Sequence, residues 1–219
     1  VGNLVAGGAG KTPTVLAVLE LLRRRGWTPG VVSRGYGREG DGLLEVHADT
    51  PARTAGDEPL LIRLRSRAPV WVGRDRPAAV CALCHAHPEV DIVVSDDGLQ
   101  HLPLPRVATV IVFDERGAGN GLLLPAGPLR PPLTEKPPPG SVVLYNAAAP
   151  STAWPGHLAR RRLAGVVELG AWWRGEPATP EAWAALRGRP VWAAAGIARP
   201  QRFFSMLREQ GIDVRPLPL

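Results

Sequence analysis

Gly7-Gly8-Ala9-Gly10-Lys11-Thr12 leads directly into an apolar stretch with helical spacing, an order of residue types suited to holding a polyphosphate. Glycines let consecutive backbone N–H groups point inward at several close negative charges. In such a loop the Lys11 ammonium reaches the β- and γ-phosphates of ATP and the Thr12 hydroxyl binds Mg²⁺. The helix beginning near Pro13 then turns its positive end toward the anion. Pro13 suits a first helical turn, where its missing N–H costs nothing. The usual spacing puts glycine where this chain has Val5, but the Gly-Gly-x-Gly-Lys-Thr core is intact. Gly7, Gly8, Ala9, Gly10, Lys11 and Thr12 are therefore the expected nucleotide-binding residues.

Asp96 and Asp97 end the apolar run from Asp91 to Ser95, a strand end from which nucleotide-hydrolysing folds hold Mg²⁺. Adjacent carboxylates on an extended backbone point different ways, so one can face a metal while the other orients water or a neighbouring group. An Asx turn at Asp97-Gly98 is the plainer alternative. Gly56-Asp57-Glu58-Pro59 offers a second acidic pair, where Asp also suits an ordinary helix N-cap. Cys81-Ala-Leu-Cys84-His85, with His87 nearby, spells a haem-attachment sequence. Its spacing equally fits a helix from Asp75 to His87 that buries both cysteines on or near its inner face, and neither haem nor zinc is expected there.

The elements that must position these residues alternate along the chain. A helix over Thr14–Arg25 precedes a buried strand, Pro29–Ser33, with Arg34-Gly35-Tyr36-Gly37 as the loop at its C-terminal end, where parallel sheets place ligands. Glu45–His47 reads as a brief strand, Asp57–Arg67 as a helix, and Val70–Val72, Asp91–Ser95, Val107–Asp114 and Val142–Asn146 as strands. This alternation predicts an α/β fold, a parallel sheet with helices on both faces. The Gly- and Pro-dense passage from Gly117 to Gly140 reads as loop, and Ala147–Pro155 as a connector. The expected organisation is a nucleotide-binding domain over 1–146 and a smaller α/β lobe over 147–219, with a helix over Gln201–Gln210 and a final strand just beginning.

Apolar residues make up 45% of the 219 and charged residues 21%, which excludes a disordered chain. No apolar run reaches the length of about eighteen residues that crosses a bilayer, and no signal peptide opens the chain. The formal charge of +6, carried mostly by arginine, suits phosphates, anionic headgroups or nucleic acid. Aromatic content of 5%, with no interleaving of basic and aromatic residues, argues against nucleic acid.

Five ordered blocks give the sequence a family resemblance. They are Gly2-Asn3-Leu4 with Gly7–Pro13, Val32–Gly37, Gly56–Pro59, Asp96–His101 and Asn120–Arg130, and together they resemble tetraacyldisaccharide 4'-kinases. The stretch Gly196-Ile-Ala-Arg-Pro-x-x-Phe-Phe is similar to that family's C-terminal lobe. The resemblance implies a lipid A biosynthetic enzyme of Gram-negative bacteria, peripheral at the cytoplasmic face of the inner membrane. It would move the γ-phosphate of ATP to the 4'-hydroxyl of a tetraacyldisaccharide 1-phosphate bound between the two lobes. It further implies Asp57 as catalytic base beside Lys11, Asp96 and Asp97 with Thr12 around Mg²⁺, and Arg34, Tyr36, Arg76, Gln100, His101 and Arg130 around phosphates or sugar. The apolar and basic residues of the loop from Leu122 to Arg130 could face acyl chains and lipid phosphate, and a plain packed loop fits that composition equally.

The chain differs from the family pattern in three places. It begins almost inside the phosphate loop, without the family's N-terminal helix and preceding strand, and reads as a piece of a longer protein. It ends before an Asp-His segment whose histidine would support the base, so a weakly active piece is expected. Pro131 stands where the family commonly has Glu. A rival class is a nucleotide-dependent switch or metallochaperone with the same kind of loop, which would dimerise on nucleotide binding and ignore lipid.

Overall fold

Apolar residues recurring every three or four positions after Gly10 wind into α1 (Lys11–Arg24), which buries Val15 and Leu19 completely. The helix takes Lys11 and Thr12 into its first turn, earlier than spacing suggests. The structure is a computed structural model and describes residues 1–197 and 200–219, so the middle of the Gly196-to-Pro200 stretch lies outside the described residues.

β1 (Pro29–Ser33) comes next, followed by β2 (Leu44–Glu45), α2 (Ala52–Ala55), α3 (Asp57–Ser66), β3 (Val70–Val72), α4 (Arg76–Ala86) and β4 (Ile92–Ser95). The strands lie in the order β2-β3-β1-β4, parallel except for the short edge strand β2. Alternation across the sheet explains why β1 is buried throughout. Val31 packs with Val15, Leu19 and Ile62 of α1 and α3, and Val32 packs on the other face with Ala79 and Leu83 of α4. Because α4 turns Arg76, Ala79 and Leu83 inward, Cys81 and Cys84 lie outward as exposed free thiols, which corrects the expectation that they are buried. Alanine, valine and cysteine spread around this helix, so it is the docking partners β1 and β3 that choose its inner face.

β5 (Thr109–Asp114), β6 (Ser141–Asn146) and β7 (His157–Leu158) form a second parallel sheet. Residues 1–5 stitch the two sheets together. Gly2 bridges Ile111 in parallel, donating to Val110 O at 3.0 Å and accepting from Val112 N–H at 2.8 Å, while Gly98 N–H donates to Val1 O at 3.2 Å. The chain is thereby delivered into the phosphate loop from between the sheets. The passage Gly117–Gly140 is loop, as its composition predicts, but one part enters the core: Leu129 bridges Val5 and is 1% exposed. Phe113, Val143, Tyr145 and Trp154 complete this core, with the Tyr145 hydroxyl donating to Trp154 O at 2.6 Å.

Two compact units result, Val1–Arg160 and Arg161–Leu219. A division at 146/147 is too early, because β7 pairs with β6 and Trp154 is buried in the first unit. In the second unit, α5 (Leu169–Trp173) and a 3-10 turn (Glu181–Leu186) precede β8 (Pro190–Ala195), α6 (Pro200–Glu209) and β9 (Asp213–Pro218). β8 and β9 pair in parallel, and Phe204 and Leu207 of α6 pack with Ala193, Ile212 and Val214. Both units are α/β.

Candidate functional site

The loop from Ala6 to Gly10 closes on a backbone that only glycine adopts readily. Gly10 caps α1 at φ 96°, ψ 29°, the left-handed region, and its carbonyl accepts from Thr14 N–H at 3.2 Å and Thr14 Oγ1 at 2.9 Å. This aims the amino end of α1 at the loop, with Thr12 buried in the first turn. Lys11 Nζ lies 3.3 Å from Asn3 Oδ1 and 3.6 Å from Asp97 Oδ1. Asp97 Oδ2 pairs with Arg130 Nη1 at 3.4 Å, and the same Nη1 donates to Gln100 Oε1 at 3.3 Å. Gln100 Nε2 donates to Asn3 O at 2.8 Å, closing the circuit. Four expected site residues, Lys11, Asp97, Gln100 and Arg130, thus form one bonded group.

Asp96 and Asp97 diverge because the chain turns between them: Asp97 has φ 47°, not the extended backbone expected. Asp97 is consequently part-exposed, while Asp96 is 1% exposed. Ser33 Oγ donates to Asp96 Oδ2 at 3.2 Å, and Asp96 Oδ1 is buried without a hydrogen-bond partner. Burial, reinforced by the negative charges of Glu58 and Asp97, pushes the Asp96 carboxyl up to about 6 against the opposing pull of Ser33 and Lys11. Arg76 is buried too, donating from Nη1 to Gly73 O at 2.7 Å with Nε unpartnered. Burial lowers its pKa, and the Asp96 charge opposes that shift. His101 carries a buried, unpartnered Nε2, and burial together with the Arg76 charge lowers its pKa.

Asp57 opens α3, but Gly56 is the N-cap, so the Asp57 side chain caps nothing and is exposed. Gly56 has φ 88°, and a Cβ there would lie 3.3 Å from Gly35 Cα, so only a glycine lets α3 start hard against the loop that follows β1. That loop carries Arg34 and Tyr36, both exposed. Among the described residues, Asp57, Arg34 and Tyr36 make no bond to the Lys11–Asp97 group. Arg34 acts by charge on Arg76, and Glu58, next to Asp57, acts by charge on Asp96.

Sequence reading gives no role to Asn3, Ser33, Arg116 or Asn146, yet all four bear on this site. Asn3 Nδ2 donates to Val5 O at 2.7 Å and Gly7 O at 3.1 Å. Arg116 Nη1 donates to Ala6 O at 3.3 Å, and Asn146 Nδ2 to Ala9 O at 3.1 Å. Arg116 is itself held by Asp114, with Nε 2.9 Å from Oδ2. Ser33 and Asn146 left a sequence signal, each a polar residue ending an otherwise apolar strand. Side chains outside the loop thus take the carbonyls of Val5, Ala6, Gly7 and Ala9, and Pro128 O takes Ala6 N–H at 2.7 Å, which leaves the amides from Gly7 to Gly10 to face an anion. A cationic, amide-lined loop beside paired carboxylates can bind a polyphosphate and stabilise charge that builds up on it.

A family model described as tetraacyldisaccharide-1-P 4'-kinase (LpxK) matches residues 1–218. The tetraacyldisaccharide 4'-kinase of Methylibium petroleiphilum is 62% identical over 216 residues, covering 98% of this chain and 60% of that protein. The one from Leptothrix cholodnii is 59% identical over 219 residues, covering 100% of this chain and 63% of that protein. A crystal structure of "apo" form LpxK from Aquifex aeolicus in complex with ATP superposes with a TM-score of 0.77 at 25% identity, covering 100% of this chain and 69% of that one. The chain spans about three-fifths of the length of these curated relatives.

Proposed function

This chain belongs to the tetraacyldisaccharide 4'-kinase family, and on that premise we propose that it transfers the γ-phosphate of ATP to the 4'-hydroxyl of a tetraacyldisaccharide 1-phosphate in lipid A biosynthesis. The observation that carries this reading is the meeting of Lys11 Nζ with Asp97 Oδ1, 3.6 Å apart, at the mouth of the glycine loop. The lysine and the loop amides bind the phosphates and stabilise negative charge during transfer. Asp57 accepts the proton of the sugar hydroxyl as its oxygen bonds to the γ-phosphorus and the bond to ADP breaks. Arg130 and Gln100, bonded to each other beside Asp97, orient the phosphate-bearing ends of the substrates.

The residues also fit a divalent cation. Asp96 Oδ1 is a buried acceptor with no partner, and Thr12, Asp96 and Asp97 supply the hard oxygen donors that Mg²⁺ prefers. When bound, Mg²⁺ neutralises charge on the β- and γ-phosphates. Among the described residues no helix is long and apolar enough to cross a membrane. The reading includes a peripheral placement at the cytoplasmic face of the inner membrane, and exposed Leu122, Leu123 and Leu124 near Arg130 support contact with acyl chains or lipid.

The test is transfer of label from γ-³²P-ATP to the lipid disaccharide by the complete enzyme, with and without EDTA. Lys11→Ala should lower the rate by two or more decades, the loss of ~3 kcal/mol expected on removing one key electrostatic donor. Wild-type turnover in that variant would refute the assignment.

A further inference from the structure

One side chain outside the expected set does two jobs at the phosphate loop. Asn3 is fully buried, and both of its amide hydrogens are committed, to Val5 O at 2.7 Å and Gly7 O at 3.1 Å. Those two bonds fix which way the amide faces, so Oδ1 is left as the acceptor, and Lys11 Nζ lies 3.3 Å from it. The Asn3 backbone carbonyl takes the Gln100 side chain at 2.8 Å, and Gln100 in turn holds Arg130. Val5 O and Gly7 O flank Ala6, whose carbonyl Arg116 takes from another direction. Asn3 is thus the only side chain among the described residues bonded to both the loop and its lysine.

We propose that Asn3 is a positioning residue that couples the shape of the phosphate loop to the location of the Lys11 ammonium. Its Nδ2 holds Val5 O and Gly7 O, which fixes the course of the loop on its approach to Gly8–Gly10 before nucleotide arrives. Its Oδ1 holds Lys11 at the loop mouth next to Asp97, where the ammonium meets incoming phosphate without first being ordered. A buried amide serves both purposes because it is a donor at one end and an acceptor at the other. Neither aspartate nor leucine, which have nearly the same shape, can replace it. The proposal rests on the reading of Gly7–Thr12 as an ATP site, and it concerns how that site is made ready.

The chain has two lysines, Lys11 and the exposed Lys136, so amine reactivity can be read residue by residue with an internal reference. The experiment is trace acylation with acetic anhydride across pH 7 to 10, read by peptide mass spectrometry, alongside calorimetric titration with ATP. The proteins are wild type, Asn3→Ala and Asn3→Asp. In Asn3→Ala, Lys11 should label several-fold faster relative to Lys136, and ATP should bind about tenfold more weakly, the scale of losing a buried hydrogen-bond set. Asn3→Asp keeps an acceptor for Lys11 but loses both donors to the loop. It should therefore label as slowly as wild type while still binding ATP more weakly. A merely structural asparagine would lower the melting temperature in both variants without moving the Lys11-to-Lys136 ratio in either.

Unchanged labelling and unchanged ATP affinity in Asn3→Ala overturn the proposal. Should Asn3→Ala fail to fold, Asn3→Asp decides alone: weakened ATP binding with slow Lys11 labelling supports the coupling, and wild-type ATP affinity overturns it. If wild type itself binds no ATP, the nucleotide reading falls. The labelling ratios without ATP still judge Asn3, faster Lys11 in Asn3→Ala supporting its hold on the lysine and equal rates overturning it.

Discussion

Asp96, proposed above as a cation ligand, is buried at a cost to stability. Its carboxyl moves from an ordinary value of 3.8 to about 6 because it is buried, with Glu58 close by. A shift of that size corresponds to roughly 3 kcal/mol of destabilisation once the group is ionised. The folded state holds the proton more tightly than the unfolded chain does. Stability is therefore highest below the unfolded value and is lost as pH rises through about 6. Asp96→Asn, which can keep an acceptor for Ser33, should raise the melting temperature in EDTA at pH 7.5, with the gain vanishing near pH 4. A variant no more stable than wild type at pH 7.5 would show that the burial cost is offset elsewhere. The same variant should need more Mg²⁺ for activity. What sequence shows at this scale follows from locality: consecutive glycines, a lysine and a threonine carry their chemistry within six positions. Asn3 and Arg116 have no such signature, since their roles exist only after folding brings carbonyls of the loop within 3.3 Å of them.

Elements with a sustained pattern were legible, and those fixed by distant partners were not. β1 and β3 are where continuous apolar runs put them and α3 where its periodicity puts it, because a sheet buried on both faces and a helix buried on one each leave a sustained signal. β7 has two residues, too few to alternate, and exists through pairing with β6, whereas β2, equally short and expected at Glu45–His47, pairs with β3 one residue earlier, at Leu44–Glu45. The inner face of α4 was misread for a related reason, its small apolar residues giving no single stripe. That helix ends on a device with a checkable pH dependence. His87, the C-cap, places Nε2 2.7 Å from Glu45 Oε1 of β2 and Nδ1 3.2 Å from Glu89 Oε1. The hydrogen bond that the ring donates to Glu45 raises the histidine pKa, with burial opposing and Glu89 adding to the rise. Stability from this clasp is present below the unfolded value near 6.5 and is lost as pH rises through the higher folded value. His87→Ala should cost about 1 kcal/mol or less at pH 6 and close to nothing at pH 9, measured by urea unfolding. An equal loss at both pH values would assign the effect to packing.

At the scale of the molecule, the α/β class was legible from the alternation of strands and helices, but the place where the first unit ends was not. Trp154 and β7 extend that unit past the apparent connector through contacts that no local composition reveals. The boundary falls at Arg160 and Arg161, within a run of exposed arginines that ends at Arg162. Brief trypsin treatment should cut there first and release a fragment carrying the whole Lys11–Asp97–Arg130 group, identified by intact mass. Earliest cleavage inside Gly117–Gly140 would contradict that division. The proposed pairing of the phosphate loop with Asp57 as base is checked by single-turnover transfer to the lipid disaccharide, with ATP affinity measured in parallel. Asp57→Asn in the complete enzyme should bind ATP as wild type does and transfer phosphate ~10²-fold or more slowly, the scale of general-base catalysis. Transfer at the wild-type rate would contradict the account.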